Sequence, residues 1–188
     1  MIAGIVLAAG TASRFGATKQ VVRVRGRSLV QHAVDALVAG GVDEVVVVVG
    51  HDADRVRAAI DLPAIGRIVE AADHREGQAA SLAAGLAAVA ESDAAVVLLA
   101  DQPGIGGEHV ARLVAAFREA PAPMLRLRFD DGPGPALLAR AIYADAMALR
   151  GDTGARALVE ARPGIARDVA FPGPAPRDVD VPDDLGAD

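Results

Sequence analysis

Short aliphatic runs recur along the first half of the chain, and each is followed by a stretch with helical spacing. Residues 2–7, 44–49 and 96–100 are short stretches rich in Val, Ile and Leu, apolar throughout except for Glu44 at the start of the second, the pattern of strands covered on both faces. Residues 29–39 instead bring Leu29, Val30, Ala33, Val34, Leu37 and Val38 to one helical side and end at Gly40-Gly41, a natural helix stop. Similar helical stretches at 52–60, 78–89 and 108–118 repeat the rhythm. Strand-then-helix repetition predicts parallel strands joined by crossovers, with helices on both faces of the sheet. The expected fold is therefore α/β, Rossmann-like and doubly wound, with a mostly parallel sheet. Beyond residue 120, Pro and Gly clusters at 121–123, 132–135 and 171–176 break the chain into short strands and loops of unassigned topology. No internal repeat or linker interrupts the 188 residues, so a single domain over 1–188 is expected.

Composition narrows the functional classes. Hydrophobic residues make up 52% of the chain and aromatics only 3%, which disfavours the stacking platforms that single-stranded nucleic acids need. With no cysteine, disulfides, thiolate metal sites and a cysteine nucleophile are excluded, and a reducing cytoplasm is the expected location. The first ten residues lack the charged leader of a secretory signal, and no apolar run approaches the ~20 residues of a membrane span. The net charge of -6 also argues against a nucleic-acid partner, because phosphate contacts need clustered bases. Residues 1–34 nevertheless hold Arg14, Lys19, Arg23, Arg25 and Arg27 and no acid, so this segment attracts anions locally.

In open α/β sheets ligands lie beyond the carboxyl ends of the strands, which draws attention to the loop 7–20, Leu-Ala-Ala-Gly-Thr-Ala-Ser-Arg-Phe-Gly-Ala-Thr-Lys-Gln. Small residues at Ala8, Ala9 and Gly10 let backbone N–H groups approach a ligand beside Leu7, and Arg14 and Lys19 supply charge for phosphates. Two commoner phosphate motifs fail here. The glycines Gly10 and Gly16 are too far apart for a dinucleotide fingerprint, and Lys19 is not preceded by Gly and followed by Ser or Thr as a Walker A loop requires. Lys19 is the sole lysine in a chain otherwise using arginine, which suggests a position that needs a compact ammonium. Two solvated loop charges are the bland alternative. Arg23, Arg25 and Arg27 read as one solvated face of an extended segment.

A second candidate is the run 97–103, Val-Leu-Leu-Ala-Asp-Gln-Pro, in which a buried strand delivers Asp101 to the crevice, where a hard cation bridging phosphates would sit. A capped turn before Pro103 is its ordinary reading. Asp178 and Asp180 fall two residues apart, on one face if extended, so either could complete a metal site. Asp183 and Asp184 follow Pro182 as a helix start would. Asp152 or Thr153 could serve simply as a helix cap, and so could Ser81. His32, His51, His74 and His109 show no metal-ligand spacing and read as surface or supporting residues.

The loop 7–20 resembles the signature loop of the MobA-like nucleotidyltransferases that complete molybdenum cofactor. Segments 76–85, 97–103, 151–158 and 178–185 are similar to that family in the expected order, so the resemblance covers nearly the whole chain. It implies the nucleotide-diphospho-sugar transferase type of fold. It also implies a magnesium-dependent transfer of a nucleoside monophosphate from CTP or GTP to a phosphorylated small-molecule acceptor, molybdopterin, with a molybdoenzyme or chaperone as a further partner. By the same resemblance Asp101 and Asp180 bind Mg2+, Gly77 and Ser81 lie against the nucleotide, and Asp152 and Arg156 shape the substrate pocket. Ala9 before Gly10 resembles the cytidylyl branch and favours CTP. The chain departs from the family at Ala71, where asparagine is usual, at Ala79 and Ala80, where serines are usual, and at Gly134, where histidine is usual. These departures bear on the acceptor and keep two alternatives open: a sugar- or alcohol-phosphate nucleotidyltransferase, and a nicotinamide-dependent reductase or nucleotide-binding regulator on the same scaffold.

Overall fold

A computed structural model describes residues 1–11 and 18–179. Its centre is strand β1 (Ile2–Ala8), buried along its whole length. Strands β2 (Arg23–Val24) and β3 (Arg27–Ser28) form a small separate ribbon. The main sheet continues with β4 (Glu44–Val49), β5 (Gly66–Glu70), β6 (Ala94–Leu99), β7 (Met124–Arg128), β8 (Pro133–Ala139) and β9 (Ala166–Ala170). Its order is β5-β4-β1-β6-β8-β7-β9. β1 pairs in parallel with β4 and β6, bringing Ile5 opposite both Val46 and Val97. β8 is antiparallel to β6 and to β7, and β9 is parallel to β7. Among the described residues the sheet has seven strands and is mostly parallel, with β8 reversed.

The helices cover both faces. α1 (Leu29–Ala39), α2 (Ala53–Ala58) and α4 (Gly107–Glu119) bury residues such as Leu37, Val56 and Leu113 on one side. On the other side α3 (Gln78–Ala88), α5 (Tyr143–Met147) and α6 (Arg156–Ala161) bury Leu82, Leu86, Tyr143 and Leu158. Successive β4 residues alternate between these cores, Val45, Val47 and Val49 facing one and Val46 and Val48 the other, as the two-residue period of a strand requires. Gly4 lets α1 come close to the sheet: a Cβ there would lie 2.7 Å from the Leu37 methyl carbons. Ser28 caps α1 by accepting the Gln31 N–H, a favoured residue at that position.

The expected α/β class, the strands at 2–7, 44–49 and 96–100 and the four helical stretches all have counterparts within a few residues. Two features differ from the sequence pattern. Arg23, Arg25 and Arg27 do not form one extended face, because Arg25 (φ 49°) and Gly26 (φ 80°) turn the chain between β2 and β3; two consecutive positive φ values are the two-residue hairpin turn whose twist suits short antiparallel strands. β5 had no sequence signal of its own, since Arg67 and Glu70 interrupt its apolar positions. It is added at the sheet edge by pairing with β4.

Candidate active site

The carboxyl ends of β1 and β6 lie side by side, and the loops leaving them enclose a cavity of about 470 Å³. Leu7, Ala9 and Gly10 line it from the end of β1, while Ala8, 1% exposed, faces the core on the opposite side of the sheet. Backbone hydrogen bonds fix this wall: the Ala100 N–H donates to the Leu7 carbonyl (3.2 Å) and the His51 N–H to the Ala9 carbonyl (3.2 Å). The Gln20 amide nitrogen donates to the Gly10 carbonyl at 2.8 Å, which holds residues 10 and 20 together at this wall.

Lys19 opens a single 3-10 turn (Lys19–Val21) and is 7% exposed. Its Nζ donates to Asp101 Oδ2 at 3.0 Å. Asp101 occupies the turn just past β6, next to the carboxyl end of β1, and the 3-10 turn brings the ammonium to that same mouth of the sheet. The other carboxylate oxygen, Oδ1, is buried and accepts no hydrogen bond among the described residues. The segment 178–179 runs beside this turn: the Val179 N–H donates to the Asp101 carbonyl (3.0 Å), and the Gln102 amide donates to the Asp178 carboxylate (2.9 Å). Arg14 and Asp180 lie outside the described residues.

The opposite wall comes from the start of α3. Gly77, Gln78 and Ser81 line the cavity together with His74, Arg75 and Asp152. Gly77 has φ +105°, and a Cβ on it would lie 2.4 Å from the Gly151 carbonyl carbon; only glycine allows both the conformation and the approach. That approach lets the Ala79 N–H donate to the Gly151 carbonyl (3.2 Å), which sets Asp152 at the rim. Arg156 does not line the cavity, and its guanidinium pairs with Glu160 at 3.0 Å on an exposed face of α6. Gln20, His74, Arg75 and Gln78 are cavity residues that motif reading had not singled out. Gln78 had one available signal, its place directly after Gly77, whereas His74 and Arg75 had none.

One carboxylate near the site is clearly perturbed. Asp52 is held below the ordinary aspartate value, first by the hydrogen bond from the Thr18 hydroxyl and then by the nearby charges of His51 and Arg55. Among the described residues no group of three or more His, Asp or Glu side chains is gathered around one point. The orphaned Asp101 Oδ1 nevertheless suits a hard divalent cation of the kind held by one or two carboxylates, with phosphate oxygens and water completing its shell. No helix among the described residues is long and apolar enough to cross a membrane.

The sequence model of the MobA-like NTP transferase domain matches residues 4–166. The chain belongs to this family. It is similar to nicotine blue oxidoreductase of Paenarthrobacter nicotinovorans, 33% identical over 86% of this chain and 83% of that protein. A further relative is the bifunctional protein GlmU of Sorangium cellulosum, 30% identical over 87% of this chain, although the chain spans only 38% of that longer protein. Among solved structures, Rv0371c of Mycobacterium tuberculosis superposes with a TM-score of 0.85 at 29% identity, covering 98% of this chain and 95% of that one. Its complex with manganese superposes with a TM-score of 0.81, also at 29% identity, over 98% and 96% of the two chains. The NTP transferase resemblance in the loop 7–20 and the later segments is thus the family of the chain, and the sheet is the one this family builds.

Proposed function

We propose that this member of the family transfers a nucleoside monophosphate, CMP in preference to GMP, from a nucleoside triphosphate to the phosphate of a small-molecule acceptor, molybdopterin, with release of pyrophosphate. The observation that carries this reading is the Lys19–Asp101 pair at the cavity, with one carboxylate oxygen of Asp101 unpaired. A cation and a partly uncommitted anion side by side fit a metal-bound polyphosphate, because each takes one component of that ligand. Asp101, joined by Asp180, would hold Mg2+, which supplies neutralisation of phosphate charge when bound. Lys19 and Arg14 neutralise the charge that builds on the departing pyrophosphate. Gly10, Gly77 and Ser81 hold the nucleotide, and Asp152 faces the acceptor; Arg156 reaches it by exchanging Glu160.

In the reaction, an oxygen of the acceptor phosphate bonds to the α-phosphorus while the bond from that phosphorus to the bridging oxygen breaks, and both electrons leave with pyrophosphate. A phosphate monoester is already anionic near neutrality, so no general base is required and positioning dominates. Ala9, which lines the cavity and resembles the cytidylyl branch of the family more than the guanylyl branch, supports CTP over GTP. Pyrophosphate release measured with each of the four nucleoside triphosphates, with molybdopterin and with sugar and alcohol phosphates, tests the reading. CTP with molybdopterin should be the productive pair. Turnover with a sugar phosphate alone would replace the acceptor, and release with no acceptor would end the proposal.

A second reading has one specific observation behind it, the 33% identity with nicotine blue oxidoreductase. On this reading the cavity takes a nicotinamide dinucleotide and an organic acceptor is reduced. Oxidation of a reduced nicotinamide dinucleotide in the presence of a dye acceptor, without added triphosphate, would favour it.

A further inference from the structure

The turn after β4 is hydrogen-bonded to Thr18, the residue just before Lys19. Asp52 sits there with φ 50° and ψ 38°, a left-handed conformation that costs an L residue about 1 kcal/mol or more and that Asp and Asn tolerate best among side chains with a Cβ. Its carboxylate accepts the hydroxyl of Thr18, which is 2% exposed. Arg55, three residues along on α2, pairs with Asp52 at 3.7 Å and reaches the same hydroxyl at 3.4 Å. Thr18 stands at the N-cap of the 3-10 turn Lys19–Val21, yet its side chain makes no capping hydrogen bond there. The usual local partner of a threonine in that place has been given up for a residue 34 positions away. The next residue is Lys19, whose ammonium meets Asp101. The neighbouring His51 N–H meanwhile holds Ala9, at the other stem of the same loop.

From this arrangement we infer that Asp52 is a positioning residue. Acting through Thr18, it fixes the start of the 3-10 turn and thereby aims the Lys19 ammonium at Asp101 and at the ligand phosphates. It touches neither the ligand nor the reacting atoms. In its left-handed conformation the carboxylate turns back from the start of α2 onto Thr18. The inference rests on the role given above to Lys19, but its test need not involve turnover.

Lys19 is the only lysine of the chain, so isotope-labelled lysine gives one side-chain NMR signal from the intact protein. That signal is compared in the parent, Asp52→Ala, Thr18→Val, the double variant and Asp52→Asn, with circular dichroism and melting temperature recorded for each. Asp52→Ala and Thr18→Val should each move the signal toward that of a solvated lysine, and the double variant should move it no further. Asp52→Asn, which keeps an acceptor oxygen and tolerates the left-handed backbone, should restore it. In pyrophosphate release, kcat should fall by up to about 10²-fold in the two single variants, the cost that a misplacement of about 1 Å can carry, with KM for the acceptor unchanged. An unmoved Lys19 signal in either folded single variant, or additive shifts in the double variant, overturns the proposal. Shifts as expected in a protein that releases no pyrophosphate with any acceptor support the positioning role and remove the transferase reading instead.

Discussion

The Nζ of Lys19 lies 3.0 Å from Oδ2 of Asp101, joining residues 82 positions apart in sequence. Asp101 stands just past the end of β6, next to the carboxyl end of β1, and the 3-10 turn Lys19–Val21 brings the ammonium back to that same mouth of the sheet. Among the described residues the second oxygen of Asp101 has no hydrogen-bond partner.

Asp101→Asn retains the shape of the side chain and removes the charge. Turnover should fall on the order of 10²- to 10³-fold, the scale seen when one group that stabilises charge at a reacting centre is lost. The far-ultraviolet circular dichroism should stay that of the parent, since the residue stands in a turn outside the core. Near-normal pyrophosphate release would remove Asp101 from the site.

Divalent metal and nucleotide should stabilise the fold jointly. A ligand at 100 times its Kd adds about 2.7 kcal/mol by mass action. The melting temperature should rise with CTP and magnesium together, and chelation should cancel most of the rise. A rise with CTP that chelation leaves intact would show that the metal does not help hold the triphosphate.

Gly77→Ala should disturb one wall of the cavity. The substitution meets both a positive φ and a 2.4 Å approach to the Gly151 carbonyl carbon, so strain of about 1–3 kcal/mol is expected. The segment carrying Asp152 would be pushed outward. Denaturant titration would show the loss of stability, and nucleotide affinity should weaken in parallel; a parent-like midpoint would mean the approach relaxes without strain.

Tyr143, the only tyrosine, is 4% exposed, and its hydroxyl has no hydrogen-bond partner among the described residues. Burial pushes its phenol above the ordinary value. A folded value above the unfolded one, about 10, means that the tyrosine contribution is fully present below that pH. Stability is then lost as pH rises from there toward the folded value, because the unfolded state releases its proton first. Tyrosinate absorbance should therefore appear only as the chain unfolds in base. Tyr143→Phe removes the unpaired hydroxyl and should leave stability unchanged or raise it by about 1 kcal/mol. A tyrosinate signal at the ordinary pH with native circular dichroism retained would contradict this account of the residue.

Much of this molecule is written locally. β4 (Glu44–Val49) coincides with the run of valines at 45–49, and α1 with the apolar spacing over Leu29–Ala39, because a strand or helix declares its buried face through its own period. Asp101 was visible for the same reason: an apolar strand that ends in a carboxylate points to the ligand side of an α/β sheet. The segment 7–20 identified the family by its own residues.

Relations between distant segments carry no such local mark. Strand β8 runs against its neighbours, and β5 takes the sheet edge with charged residues among its apolar ones; pairing energy and the space left beside β6 and β4 settled both. Arg25 and Gly26 turn a stretch that alternation alone reads as straight. His74 and Arg75 reach the cavity only because α3 is docked on the sheet, and Thr18 finds Asp52 only because β4 lies next to β1. Periodicity along a chain reports which side of an element avoids water. Which elements then become neighbours, and hence which charges meet, depends on packing between surfaces far apart in sequence.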